Sequence, residues 1–257
     1  MNDEFYIGWE EKAPAGMGKR ARGAVVALLA LATALGVLLA LAQRSIGVSV
    51  FEWGKVKGFS GILKSQPYPH LLVPRPGAGD GQGACSSYYL VKPFKFGLDA
   101  KTAGRFDGKP VSLKGTLIYR GNQTMIEVVD GSIQPIDAST LQRFNASILP
   151  TSLGRQTLTG EIVDSKCYLG VMNPGALTPH RACAIRCISG GIPPVLLVRK
   201  TDGPPLYFLL VSRDGKPVNK EVLDLVAEPV QITGDVERQG ELLVLRADPE
   251  TYRRVKR

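Results

Sequence analysis

Three cysteines and a histidine in one short stretch are the residues best suited to chemistry in this sequence. Cys167, His180, Cys183 and Cys187 follow the spacing C-x12-H-x2-C-x3-C and include three of the four cysteines and one of the two histidines. If HRACAIRC forms a helix, the last three lie on one face at i, i+3 and i+7. Cys167 then supplies a fourth group, and three cysteines with one histidine form a tetrahedral ligand set for zinc.

Three kinds of site remain open for these residues. Thiolates with an imidazole suit zinc and also copper(I). Outside the cytoplasm, a disulfide among the cysteines is the alternative and would stabilise a long loop by about 2–4 kcal/mol. A redox-active pair of Cys183 and Cys187 is the third. The sequence contains neither C-x-x-C nor C-x-x-C-H, which disfavours a thioredoxin-like motif and covalent c-type haem.

The other candidate groups are assigned to structural roles. Alternation along GEIVD predicts that Glu161 and Asp164 are solvent-facing strand carboxylates rather than an acid–base pair. His70 is predicted at a strand edge, and Cys85 is an odd thiol, either free or paired with a cysteine of the cluster. The sequence shows no nucleophile-elbow motif, which favours a non-enzymatic role.

An internal repeat indicates the elements that must position the cluster. PVSLKGTL and PVQITGDV are 119 residues apart, as are YYLV and YFLL, whereas FSGIL and LTGEI are 99 apart. Further matches, between PHLLV and PVLLV, have an offset of 125. The second copy therefore carries an insertion of about 26 residues between its first two strands, and the cysteines lie in it.

Each copy contains five short β-prone runs, with a helix-like segment between the third and the fourth. This order is typical of the OB-fold, a five-stranded Greek-key barrel whose first loop contributes to ligand binding. We predict a mainly β protein with an N-terminal transmembrane helix and two tandem OB-like barrels at 48–136 and 155–252. A connector at 137–154 joins them, and the Cys/His insert occupies 164–193. A two-sheet sandwich is the alternative fold.

An apolar run at 24–42 precedes the barrels and is long enough, at roughly 28 Å as a helix, to cross a membrane. Four Lys or Arg residues lie between positions 12 and 22, but only Arg44 follows closely. The positive-inside rule therefore predicts a cytoplasmic tail at 1–23 and an exported remainder. We expect a single-pass protein of the bacterial inner membrane with its bulk in the periplasm; a cleaved signal peptide is the alternative.

The segment DSKCYLGVMNPG…HRACAIRCISGG followed by PVLLV resembles bacterial exported β-domains of uncharacterised function with a D-S-x-C…H…C…C pattern. The resemblance covers the second copy and implies an OB-like fold without an assigned activity. The order of short tail, single span and exported OB barrel is similar to that of the haem chaperone of cytochrome c maturation. That family's haem-attaching H-D-E-x-x-Y-like tail has no match here.

The function expected from these features is a membrane-tethered periplasmic binding or accessory subunit of a membrane redox or transport complex. The alternatives are a metallochaperone for copper or haem and a thiol–disulfide oxidoreductase that uses the insert. Zinc or copper is the expected cofactor, at Cys167, His180, Cys183 and Cys187. The expected partners are the membrane and another membrane protein complex. The net charge of +9 is scattered along the chain, so nucleic acid is not expected to bind.

Overall fold

A computed structural model describes most of the chain in five ranges: 14–43, 48–75, 85–141, 150–201 and 203–255. The described residues exclude 1–13 of the predicted cytoplasmic tail and 142–149 of the predicted connector. The chain divides into two compact units, Met1–Gly47 and Val48–Arg257, which are described separately below.

The first unit consists of one helix, α1 (Ala15–Gln43), which contains the whole apolar run predicted at 24–42. The helix begins earlier than that run and includes the basic residues Lys19, Arg20 and Arg22 that precede it. Thr33 is the one hydrogen-bonding side chain of the apolar run. Its hydroxyl donates to the Leu29 carbonyl at 2.8 Å, so the hydrogen bond is made within the helix. The segment Ala15–Ala42 is long and apolar enough to cross a membrane, a property that membrane anchors and signal sequences share.

The second unit contains the strands of both sequence repeats. The first repeat forms β1 (Ser49–Phe51), β2 (Lys57–Lys64), β3 (His70–Pro74), β4 (Cys85–Val91), α2 (Ala100–Arg105), β5 (Pro110–Arg120), β6 (Gln123–Val128) and β7 (Gln134–Pro135). The second repeat forms β8 (Thr151–Asp164), α3 (Arg181–Ser189), β9 (Pro194–Val198), β10 (Leu206–Val211), β11 (Pro229–Gln239), β12 (Leu242–Arg246) and β13 (Arg253–Arg254).

Each repeat closes into a five-stranded barrel with the same strand order. In the first barrel, β2, β3, β4, β6 and β5 follow one another around the ring, and β5 pairs with β2 to close it. In the second, β8, β9, β10, β12 and β11 do the same. The pairs β4–β6 and β10–β12 are parallel, and all other ring pairs are antiparallel. The prediction of an N-terminal apolar helix followed by two tandem OB-like barrels is confirmed.

Repeated glycines show why the two sequences fold alike. A Cβ atom on Gly115 would lie 2.7 Å from the carbonyl oxygen of Glu127, and one on Gly234 would lie 2.4 Å from that of Arg246. These glycines occupy the same place in PVSLKG and PVQITG. A strand that passes this close to its neighbour's backbone needs a residue without a side chain. The sequence match at offset 119 therefore reflects a packing requirement of each barrel.

The two copies differ in the segment before their fourth strand. The first copy has the helix α2, but NKEVLDLVAE in the second forms only a short 3-10 turn at Leu223–Leu225, where we predicted a helix. The Ala227 N–H donates to the Ile162 carbonyl at 3.0 Å, and Val226 makes a parallel bridge to the same residue. This pairing draws the chain into an extended conformation on β8 and ends the turn.

One apolar cluster joins the two barrels. It contains Ile118 and Met125 of the first barrel, Leu197 and Leu209 of the second, and Leu169 of the insert, all of them buried. A polar contact adds to it, because Tyr68 of the first barrel is buried against the second. The Tyr68 hydroxyl accepts from the Val218 N–H at 3.0 Å and donates to the Leu210 carbonyl at 3.3 Å.

Candidate metal centre

The insert between β8 and β9 folds into two turns and a helix that bring the cysteines and the histidine together. A π-helical turn at Cys167–Val171 carries the first cysteine, and a 3-10 turn at Thr178–His180 leads directly into α3, which carries the other two. Pro179 lies in the first turn of this segment and suits a helix start, because an N–H at this position would have no acceptor within the helix. Gly190 caps the end of α3.

The four predicted ligands form one cluster, called the Cys–His cluster below (Cys167, His180, Cys183 and Cys187). The Cys167 sulfur lies 4.0 Å from the sulfur of Cys183 and 4.0 Å from that of Cys187. The ligand atoms of Cys167, His180 and Cys183 all lie within 4.8 Å of one another. Thiolates that share a tetrahedral zinc ion with bonds of about 2.3 Å are separated by about 3.8 Å. The cluster could therefore hold a metal ion.

Asp164 holds the histidine of this cluster. Its Oδ2 atom lies 2.9 Å from His180 Nε2, and its Oδ1 atom accepts from the Cys167 N–H at 2.8 Å. An ionised carboxylate only accepts hydrogen bonds, so a neutral imidazole that donates to it from Nε2 has its lone pair on Nδ1. A carboxylate behind a histidine is the usual second partner of a metal-binding imidazole.

The prediction that Asp164 and Glu161 face solvent is wrong. Asp164 has no exposed surface and Glu161 is 5% exposed. The insert folds back over the end of β8, so both faces of the strand are covered and alternation no longer separates inside from outside. Glu161 accepts hydrogen bonds from the Leu177 N–H and from Arg199 Nη1, the latter at 2.8 Å, and so attaches the insert to the barrel.

Lys95 of the first barrel also contacts the cluster. Its Nζ atom lies 2.8 Å from the Cys183 sulfur and 3.9 Å from that of Cys187, and the hydrogen bond to Cys183 raises the pKa of Lys95. An ammonium group stabilises negative charge on the sulfurs that it faces. Sequence reasoning missed this residue, since Lys95 precedes Cys183 by 88 positions and no motif links them.

The thiols of Cys167 and Cys187 act as a pair. The hydrogen bond between their sulfurs lowers the pKa of Cys187 and raises the pKa of Cys167. Negative charge on one of these sulfurs disfavours negative charge on the other, so a second thiolate needs a cation to compensate it. Such a pair is suited to bind a metal ion, which supplies that compensation.

Lys166, next to the first cysteine, is a second residue that sequence reasoning missed. Its side chain is 1% exposed and lies against Glu127 of the first barrel at 2.5 Å. Nζ also donates to the carbonyl oxygens of Lys92 at 2.8 Å and Phe94 at 2.7 Å. A buried lysine needs such partners, and here all three belong to the first barrel.

Two further residues singled out in the sequence lie outside the cluster. Cys85 is buried at the start of β4, where burial raises its pKa, and its thiol is free. His70 is the first residue of β3; burial lowers its pKa, and Nδ1 lies 2.8 Å from the Tyr68 carbonyl oxygen.

Comparisons with known proteins leave the family of the chain open. No protein-family model matches it, and no curated protein matches it. Among solved structures, it is similar to the single-stranded DNA binding protein from Thermus aquaticus, at 13% identity and a TM-score of 0.24 over 82% of this chain and 88% of that one. A deletion mutant of that protein gives 12% identity and a TM-score of 0.24 over 81% and 96%. Likenesses this low carry no argument about function.

Proposed function

We propose that the protein is a membrane-tethered metal-binding accessory subunit, whose second barrel holds one zinc or copper ion at the Cys–His cluster. The observation that carries the proposal is the cluster itself: four ligands in an insert that the first barrel lacks, with Asp164 oriented behind His180. The barrels then serve as a docking body for a membrane redox or transport complex.

A metal ion accounts for more of this geometry than a disulfide does. A disulfide between two cysteines would leave a third thiol and the Asp164–His180 pair without a role. Cys167, Cys187 and His180 are 3%, 1% and 6% exposed, so several negative charges in this place require a cation. A site closed by four protein ligands is typical of a structural ion, because a catalytic zinc keeps one position open for water. We therefore favour an accessory role over an enzymatic one.

The proposed membrane anchor is α1, and its proposed orientation rests on the charges that flank it. The excess of cations before the apolar run favours a cytoplasmic N-terminus and export of the barrels to the periplasm. Reporter fusions to the C-terminus would test this orientation: we expect activity from an exported reporter, and activity from a cytoplasmic reporter would contradict the topology.

Metal content of the full-length chain in detergent tests the proposal most directly. We expect about one zinc or copper ion per chain by elemental mass spectrometry, as a single four-ligand site requires. Cys187→Ser and His180→Ala should lose the ion. Cys85→Ser is the matched control, since this cysteine is also buried but lies outside the cluster, and it should keep the ion. Three separately alkylatable cluster thiols without metal, or a disulfide in non-reducing mass spectrometry, would overturn the proposal.

One observation favours a thiol–disulfide exchange enzyme as the second candidate. Cys183 is partly exposed, and the Lys95 ammonium faces its sulfur. In that reaction the Cys183 thiolate attacks a partner's disulfide and releases one partner thiolate, and Cys187 then displaces the second and leaves an intramolecular disulfide. A chain with both Cys167→Ser and Cys187→Ser would trap the mixed disulfide with the partner, because the Cys167 sulfur also lies 4.0 Å from that of Cys183. Alkylation that becomes fast only after a chelator is added would favour the metal site instead.

A further inference from the structure

The Lys92–Gly97 loop of the first barrel has a counterpart in the second. The Lys92 N–H donates to the Phe96 carbonyl at 2.9 Å and Val91 bridges to Gly97. In the second barrel, the Ser212 N–H donates to the Lys216 carbonyl at 2.9 Å and Val211 bridges to Pro217. The two loops therefore have the same length and the same closing pairs, and only the first reaches the cluster.

The first loop has an unusual backbone at its centre. Phe94 adopts φ 62°, a left-handed conformation that bulky side chains rarely adopt, whereas in the counterpart loop the positive φ, 77°, is one position further along, at Gly215. Non-glycine residues keep such a conformation only where the surrounding structure holds them, commonly at functional sites. The residue that follows Phe94 is Lys95, which contacts the thiols.

The insert holds this loop at both of its ends. Before the first cysteine, Lys166 donates to the carbonyl oxygens of Lys92 and Phe94. After the last cysteine, the Gly190 carbonyl accepts from the Gly97 N–H at 3.0 Å. A Cβ atom on Gly190 would lie 2.0 Å from the Lys95 carbonyl oxygen, so the two backbones are in direct contact. The loop and the Cys–His cluster thus form one packed assembly.

We propose that Lys95 is a positioning residue of the metal centre, so that the first barrel completes a site whose ligands all come from the second. Three thiolates and a neutral imidazole leave one net negative charge around zinc and two around copper(I). The Lys95 ammonium compensates one of these charges, while Lys166 is already paired with Glu127. By linkage, ion binding and docking of the loop strengthen each other. The inference rests on the proposed function.

Zinc affinity of the full-length chain tests the role of Lys95, measured by competition with a chromophoric chelator. We expect K95M to bind zinc about 10–100-fold more weakly, the usual effect of removing a partner of a metal ligand. K95R should restore part of the affinity because it keeps the charge. K92M is the matched control, since Lys92 lies in the same loop and pairs with Asp99 and Asp130 instead of the thiols. Its affinity should stay within about twofold of the original.

Hydrogen exchange at the Gly97 amide gives a second measurement. If Lys95 had only a structural role, its substitution would not change the effect of zinc on this exchange rate. Zinc should slow this exchange in the unaltered chain and fail to do so in K95M, while unfolding temperatures of the metal-free variants check that each one folds. Equal zinc affinity of K95M and the unaltered chain would overturn the role of Lys95 and leave the proposed function intact. Absence of zinc and copper binding by the unaltered chain would overturn both.

Discussion

Asp164 uses both of its carboxylate oxygens inside the insert, one on the His180 ring and one on the Cys167 backbone. In Asp164→Asn the amide keeps one acceptor, but an NH2 group can replace the oxygen that faces Nε2. We expect metal affinity to fall about 10–100-fold, because His180 is no longer held in the tautomer that leaves Nδ1 free. A chelator competition titration of the full-length chain measures this.

Asp99→Asn is the matched control for this substitution. Asp99 caps α2 by accepting from the Thr102 N–H at 2.8 Å, and asparagine caps helices about as well. The same charge is removed, but metal affinity should not change. Equal losses in both variants would mean that net charge, and not the hydrogen bond to His180, determines the affinity.

His70 allows a prediction about pH. Burial lowers its pKa from 6.5, so the unfolded chain takes up a proton at a pH at which the folded chain does not. The free energy of unfolding should therefore be unaffected by His70 above about pH 7 and fall below it, by at most about 1.4 kcal/mol per pH unit. Denaturant unfolding of the metal-free chain and of His70→Gln at pH 7.5 and 5.5 measures the difference. Identical pH slopes would contradict it, since His180 is present in both.

At the scale of the element, the insert contributes to the core as well as to the cluster. Leu169, in the turn after Cys167, is completely buried among apolar residues of both barrels. We expect Leu169→Ala to lower the free energy of unfolding by about 2–5 kcal/mol, because the cavity lies between rigid barrels. Met172→Ala, three residues further along the insert at a side chain that is 45% exposed, should change it by about 0.5 kcal/mol or less. Similar costs for both would show that the insert is loosely packed.

The barrels could be predicted from the sequence because their constraints repeat within it. Gly61 and Gly160 each lie where a Cβ atom would collide with a neighbouring strand, at 2.2 Å and 2.6 Å from a carbonyl oxygen, and they match at offset 99. The proximity of His180, Cys183 and Cys187 could be predicted as well, since local spacing places both cysteines on α3 and the histidine directly before it. Structural requirements that act within a short segment, or that recur in both barrels, leave a recognisable pattern in the sequence.

The docking of the insert onto the first barrel could not be predicted. Lys166 recognises the backbone carbonyls of Lys92 and Phe94, and backbone groups are present in every residue whatever its side chain. The Asp164 error has a related cause, because alternation describes a strand with one solvent face and β8 ends beneath the insert. Contacts between distant segments leave no periodic pattern.

For the whole molecule, the shared core makes the two barrels one structural unit. Tandem domains commonly have small, polar interfaces and move independently. Here Val48–Arg257 forms a single compact unit, the insert packs between the barrels, and Tyr68 donates and accepts hydrogen bonds across the interface. Each barrel also has an apolar cluster of its own, but the third cluster draws on both barrels, so their stabilities should be coupled.

We therefore expect both barrels of the full-length chain in detergent to unfold in one transition. Native-state hydrogen exchange with increasing denaturant should give the same opening free energy for β4 of the first barrel and β10 of the second. Zinc at 100 times its dissociation constant should raise both values by about 2.7 kcal/mol, although all four residues of the Cys–His cluster belong to the second barrel. Cys187→Ser should remove the zinc effect from both strands, whereas Cys85→Ser should preserve it. A zinc effect on β10 alone, or two separate opening free energies, would show that the barrels unfold independently and that the insert does not couple them.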